Sequence, residues 1–261
     1  MESPLYQPFP MLPGRRAQLW QHQPQYRRPR HFHQEPEINV VTKGSALLGV
    51  GDQTLSLGAG DLVLLHPGQD HVLVSASVDL ELFVMALTPE LAAHVHRTGT
   101  TTTTEFVQLA PDELAETTER LLGLRETHDA SALERDLVNL FSQARAQAPR
   151  AHVSSRRALQ VMERELSVDG ERLATRLGTS PSELSRRFHR DLRVPLVEYR
   201  ARLRLMRFVQ LVDGGASFSR AALEANFGSY AQCHRVFSRT LGCSPRDYFT
   251  SKRRDIANAT L

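Results

Sequence analysis

Leu173-Ala174-Thr175-Arg176-Leu177-Gly178-Thr179-Ser180-Pro181-Ser182-Glu183-Leu184-Ser185-Arg186-Arg187-Phe188 is the stretch that decides the fold of the C-terminal half. Leu173 and Leu177 stand one helical turn apart, and Ala174 is small enough for a second helix to pack closely. Gly178 can take the positive φ of a tight inter-helix turn without a steric cost. Ser180, Pro181 and Glu183 then read as the N-cap, first residue and capping-box partner of a new helix. Leu184 and Phe188, at i and i+4, point inward on that helix. Ser182, Ser185, Arg186 and Arg190 fall on its other faces. The spacing predicts two short helices joined by a tight turn.

The pattern recurs. Phe218-Ser219-Arg220-Ala221-Ala222-Leu223-Glu224-Ala225-Asn226-Phe227-Gly228-Ser229 repeats it, with Ala222 and Asn226 four apart as Ala174 and Gly178 are. Asn is the next best residue to Gly for a left-handed turn. Ser229 reads as the cap of the following helix, with Phe237 inward and His234, Arg235, Ser238 and Arg239 as its polar side chains. Between the copies, residues 195–212 read as one helix, about 27 Å long at 1.5 Å per residue. That approaches the roughly 34 Å between successive major-groove faces. Two modules on such a spacer can enter adjacent grooves of one duplex.

Charge supports this division. The 261-residue chain has a net charge of +3, yet residues 153–261 carry 20 Lys and Arg against 11 Asp and Glu. The preceding residues carry 12 against 18. A basic half joined to an acidic half implies that one half alone meets a polyanion. Hydrophobic residues make up 41% and charged residues 23%, a composition that excludes a disordered chain. No apolar run approaches the roughly 18 residues of a membrane span, and residues 1–4 predict no signal peptide. Cys233 and Cys243, without CxxC spacing, predict reduced thiols, and the expected location is the cytoplasm.

The first third reads as β. Segments at 38–40, 47–50, 55–57 and 62–65 are strand-sized and separated by Gly44-Ser45, Gly51-Asp52 and Gly58-Ala59-Gly60. Short strands at this spacing predict a sandwich or small barrel. Residues 90–96, 111–123 and 131–148 have helical spacing, and the run Thr100-Thr101-Thr102-Thr103-Thr104 reads as a loop or strand edge. The Leu133, Leu137 and Leu140 stripe fits either a dimer contact or core packing. Pro149 marks the boundary, giving domains at 1–148 and 149–261. For residues 1–30, rich in Pro, Gln and Arg, two readings stand: an arm closing the barrel mouth, or a solvated tail. In the first case its arginines suit an anionic effector.

His31-Phe32-His33-Gln34-Glu35-Pro36-Glu37 has the form HxHxxxE, with all three ligating types on one strand parity. His71 follows in His66-Pro67-Gly68-Gln69-Asp70-His71. Three imidazoles and a carboxylate suit a divalent first-row metal.

Three motifs carry a specific resemblance. The 173–254 region resembles the DNA-binding region of AraC/XylS-type regulators. Its best match is Arg235-x-Phe237 followed by Leu241-Gly242-Cys243-Ser244-Pro245-Arg246-Asp247-Tyr248, with Leu177-Gly178-x-Ser180-Pro181 as the first-module counterpart. It departs from the family at Asn226 and at Cys233, where Gly and Phe are usual. Residues 30–75 resemble the two cupin motifs, departing at His66 and Ser75. The resemblance implies an α+β two-domain protein: an N-terminal cupin-like β-barrel with flanking helices, and a C-terminal all-α domain with two helix-turn-helix modules. It implies a non-enzymatic regulator with base-contact candidates Ser182, Ser185, Arg186, Tyr230, Gln232, His234 and Arg235, flanked by Arg190 and Arg239. It implies an effector or metal site at His31, His33, Glu37 and His71, with a divalent transition metal as the candidate cofactor. Implied partners are double-stranded promoter DNA, a small-molecule effector, RNA polymerase and a second copy of the chain. A metal-dependent cupin enzyme fused to a DNA-binding domain is the alternative, and a non-specific architectural DNA binder a third reading.

Overall fold

Strand β4 (Glu37–Lys43) explains how the N-terminal half is layered. It is buried over its first five residues, on both faces. Val41 joins a core between two sheets, together with Ala46, Leu48, Val63, Leu65 and Leu82. Ile38 and Val40 join another core, against helices. Alternate residues of one strand therefore serve two layers, which is why its sequence reads as a continuous apolar run.

The computed structural model describes residues 5–23, 28–98 and 106–258. Ten strands form two five-stranded sheets. One runs β1 (Leu5–Tyr6), β3 (His31–Phe32), β8 (His71–Ala76), β5 (Ser45–Val50) and β6 (Gln53–Gly58). The other runs β10 (Phe106–Gln108), β7 (Asp61–Leu65), β4, β9 (Glu81–Leu87) and β2 (Ala17–Gln21). Helices α1 (Pro89–Thr98), α2 (Pro111–Arg125) and α3 (Ala130–Gln147) follow. Leu133, Leu137 and Leu140 of α3 are buried with Ile38, Phe83 and Met85, so this stripe is core. A dimer cannot use it.

The described residues among 5–30 are not a solvated tail. β1 pairs in parallel with β3, and β2 pairs with β9 over five residues. The threonine run at 100–104, with Tyr26 and Arg27, lies outside the described residues.

The C-terminal half is helical throughout its described residues: α4 (Val153–Arg164), α5 (Gly170–Arg176), α6 (Pro181–Leu192), α7 (Leu196–Asp213), α8 (Phe218–Glu224), α9 (Tyr230–Leu241) and α10 (Pro245–Asn258). Helices α5 and α6 form the first module, α8 and α9 the second, and the 18-residue α7 bridges them. Gly178 and Asn226 both sit at positive φ, +64° and +61°, as the two turns require. Ser180 and Ser229 cap α6 and α9 by accepting from the backbone N–H of Glu183 and Gln232. The expected capping box at α6 is half formed. The Glu183 carboxylate turns instead to Arg186 and Arg187 on its own helix, where i+3 and i+4 neighbours are within reach. Leu173, Ala174, Leu184 and Phe188 are fully buried in one core. Cys233 and Phe237 are fully buried in the other, with Phe208. The smaller thiol therefore leaves its helix packed.

Candidate effector site and nucleic-acid interface

The predicted ligand set converges, but not as one strand would arrange it. β3 is only two residues long, and Glu37 comes from β4 in the opposite sheet. His31 and His71 face each other in the β3–β8 ladder. The cluster lies between the sheets, and all four residues are at most 4% exposed. One ligand atom from each of His31, His33 and His71 lies within 4.8 Å of the others.

Each imidazole is oriented by a backbone carbonyl. Nδ1 of His31 faces Pro29 O at 2.8 Å, that of His33 faces Glu35 O at 2.8 Å, and that of His71 faces Gln69 O at 3.1 Å. A carbonyl only accepts, so each Nδ1 carries a proton, and each Nε2 turns to the interior. His33 Nε2 lies 3.1 Å from Glu37 Oε2, and His71 Nε2 lies 3.6 Å from Glu37 Oε1. His31 Nε2 is buried without a hydrogen-bond partner among the described residues. Asn39, which sequence reasoning passed over, donates to Glu37 Oε1 at 2.8 Å. Its signal was its parity with Glu37 on β4.

Burial, then the neighbouring His71, drives the His31 imidazole far below its usual range. Burial likewise pushes His71 down to about 4, against the pull of Glu37. Burial alone would raise Glu37, but His71 and the hydrogen bond from His33 hold its carboxyl well below the usual range. The centre thus pairs the neutral His31 and His71 imidazoles with an ionised Glu37. Phe9 of the N-terminal segment closes it, its ring edge-on to His33 at 5.9 Å. Of the arginines foreseen for an anionic effector, Arg16 pairs with Glu134 and Arg30 with Asp70 at 2.7 Å. Arg30 lies across Gly49, where a Cβ would come within 2.7 Å of its guanidinium.

The loop before β8 meets the helical half. Asp70 accepts from Arg30 and, at 2.6 Å, from Arg202 in the middle of α7. The Arg202 guanidinium also donates to Gly68 O at 3.0 Å and lies 5.3 Å from the centre of the Phe32 ring. Burial would raise Asp70, but Arg202 and Arg30 hold its carboxyl below its ordinary value. Beside this clamp, Asp52 N–H donates to Arg193 O and the Asp52 carboxylate meets His189 Nε2 at 3.0 Å. Gly51 sits at φ +56° in that turn, and a Cβ there would fall 1.9 Å from Arg193 O. None of these seam residues was identified from sequence, because their pairing is entirely long-range.

The seam leaves the predicted DNA face open. Ser182, Ser185, Arg186 and Arg190 on α6 are exposed, as are Gln232, His234, Arg235 and Arg239 on α9. Tyr230 is half-buried and stacks on Phe218, with ring centres 5.8 Å apart. Gln232 Oε1 accepts from Gly228 N–H at 2.7 Å, so this side chain is partly committed to its own turn.

Residues 18–160 match the family model of the AraC-like ligand binding domain, and residues 173–251 match that of a helix-turn-helix domain. Among solved structures, the chain is similar in fold to ToxT from Vibrio cholerae O395, with a TM-score of 0.50 and 13% identity. That likeness covers 89% of this chain and 95% of that one. The same protein bound to (E)-4-(8-methylnaphthalen-1-yl)but-3-enoic acid gives a TM-score of 0.50 and 13% identity, over 89% and 97% of the two chains. A search of curated proteins gives no match. The first family model alone spans more than half of the chain, and the second falls on the two modules already described. The chain belongs to the AraC family of transcription regulators, with a ligand-binding domain that controls a helix-turn-helix DNA-binding domain.

Proposed function

We propose that the effector site of this regulator is the buried His–Glu cluster, and that it holds a divalent transition metal. One observation carries the reading. Three imidazoles, each fixed by a backbone carbonyl at Nδ1, turn Nε2 to a common centre beside an ionised Glu37, and among the described residues His31 Nε2 is left without a partner. Carbonyl bonds at the outer nitrogen are how metal-ligating histidines are oriented. His31, His33, Glu37 and His71 would supply the ligands, and Asn39 would hold Glu37 in place.

We read the cluster as a sensor and not as an active centre, since Phe9 caps it and its groups are already held by neighbours. Elemental analysis of the purified full chain is expected to give about one metal per chain, and His33→Ala none. Zn²⁺ at 1,000 times its dissociation constant should stabilise the wild type by about 4 kcal/mol and leave the variant unmoved. A metal-free protein that also fails to take up Zn²⁺ removes this reading.

Promoter DNA is the proposed partner of the open face, in the cytoplasm. RNA polymerase and a second copy of the chain are the further proposed partners, the latter through a surface other than the α3 stripe. Arg186 is the strongest base-contact candidate: it is exposed, and its bond to Glu183 is exchangeable at a surface. Arg can pair bidentately with guanine. Arg186→Ala is expected to weaken specific DNA binding by about 1–3 kcal/mol, read by fluorescence titration at fixed salt. Unchanged affinity would remove Arg186 from the interface.

A further inference from the structure

Two of the ligand-bearing strands of the cluster, β3 and β8, also hold the bridging helix. On β3, His31 faces the cluster while the next residue, Phe32, is fully buried among Leu205, Met206 and Phe208 of the DNA-binding half. This is the two-residue alternation of a strand, with one face in each domain. At the start of β8, His71 faces the cluster while the preceding residue, Asp70, grips Arg202. His31 and His71 are direct partners in the ladder. Their neighbours Phe32 and Asp70 are both on Arg202, one by its ring and one by its carboxylate. Arg202 is 4% exposed, and its Nε lacks a partner among the described residues.

We propose that Arg202 is a positioning residue that carries the state of the His–Glu cluster to α7, the spacer on which both DNA-binding modules are mounted. The inference rests on the cluster being the effector site. The device does not act by covering the DNA face, which stays exposed. It acts from behind, on the helix that sets the two modules relative to each other. A backbone shift of β3 at His31 or of β8 at His71 moves the adjoining Phe32 or Asp70, which hold Arg202. A shift of the clamp therefore changes how the two modules meet a duplex. Coupling of this kind is reciprocal, so DNA must act back on the cluster.

The test uses the full chain, Zn²⁺ as the probe, and a duplex enriched from a random library by the wild-type protein. Amide hydrogen exchange is followed in β3, β8 and α7, in the wild type and in Arg202→Met. In the wild type, Zn²⁺ is expected to slow exchange in β3 and β8 and to change it in α7. DNA is expected to change exchange in β3 and β8. In Arg202→Met, Zn²⁺ should still protect β3 and β8, while its effect on α7 and the effect of DNA on the strands vanish. The Zn²⁺-dependent change in DNA affinity, roughly 5-fold or more in the wild type, should fall to about one.

Undiminished cross-domain effects in Arg202→Met overturn the proposal. If Zn²⁺ does nothing in the wild type but DNA still reaches β3 and β8 through Arg202, the metal reading fails and the coupling stands. If neither ligand crosses the seam in the wild type, the coupling is overturned. Gly51→Ala is the second variant, for use if Arg202→Met does not fold. Its Cβ would wedge against Arg193 O and disturb the seam at the clamp itself, since Gly51 N–H donates to Asp70 O at 2.9 Å. It should retain Zn²⁺ binding and lose the response of α7; a preserved α7 response overturns the proposal.

Discussion

Asp70→Ala is expected to lower the unfolding free energy of the full chain by about 3–5 kcal/mol, the cost of removing one partner from a buried ion pair. Asp70 and Arg202 side chains are 6% and 5% exposed, and Arg30 is 15% exposed. The substitution leaves two guanidinium groups facing one another across the space Asp70 filled. Arg30 keeps Gly51 O, and Arg202 keeps Gly68 O and, at 3.5 Å, the exposed Glu198 carboxylate, but a carbonyl carries only partial charge and Glu198 is solvated. Asp70→Asn keeps the shape and one acceptor, so it should fall between wild type and Ala. Denaturant unfolding followed by far-ultraviolet circular dichroism reads both. A loss below about 1 kcal/mol, the surface-pair range, would mean that water reaches the seam and screens the arginines.

Phe32→Ala is expected to cost about 3–5 kcal/mol in the same assay, as for other buried aromatic truncations. The ring is fully buried, 5.7 Å from the Tyr6 ring and beneath Arg202. The cavity would open between the two domains and not inside either. Because Phe32 and Asp70 both hold Arg202, the double variant should be less destabilised than the two single losses added together. Additivity would show that the two contacts are independent, and would weaken the case for a shared clamp.

How far the sequence was legible follows from how local each signal is. The helical modules were readable because their determinants lie within four residues of one another. Gly178 and Asn226 take left-handed turns, and Ser180 and Ser229 cap the helices that follow. Strands β4 and β7 were readable because each fills a buried layer with apolar side chains, and β5 and β6 because glycine-bearing turns bound their short apolar segments. β1 was not, since two residues pairing with β3 across 26 positions leave no periodic trace. The ligand set was found for a partly mistaken reason. Parity on one strand grouped His31, His33 and Glu37, whereas Glu37 arrives from the facing sheet. Glu183 shows the same limit at short range: its place in a capping box was correct in sequence, but two arginines one turn away took its oxygens. Arg202 looked like one more basic residue on a basic helix. Only the fold brings Asp70 to it.

Tyr248 and Tyr6 give the seam a further meaning for how this chain comes into being. The Tyr248 hydroxyl donates to Tyr6 O at 2.8 Å, across 242 positions, and Tyr6 is buried in the same core as Phe208 and Phe237. A ribosome adding about 5–20 residues per second needs on the order of 10–50 s to travel that distance. For that interval the first strand has emerged, but the surface that buries it has yet to be made. Its Tyr6 side and Phe32 remain uncovered while the rest of the two-sheet domain can already close. The two-sheet domain is therefore finished from behind, by helices that leave the ribosome after it, and the nascent ligand-binding half passes through a stage with its clamp empty.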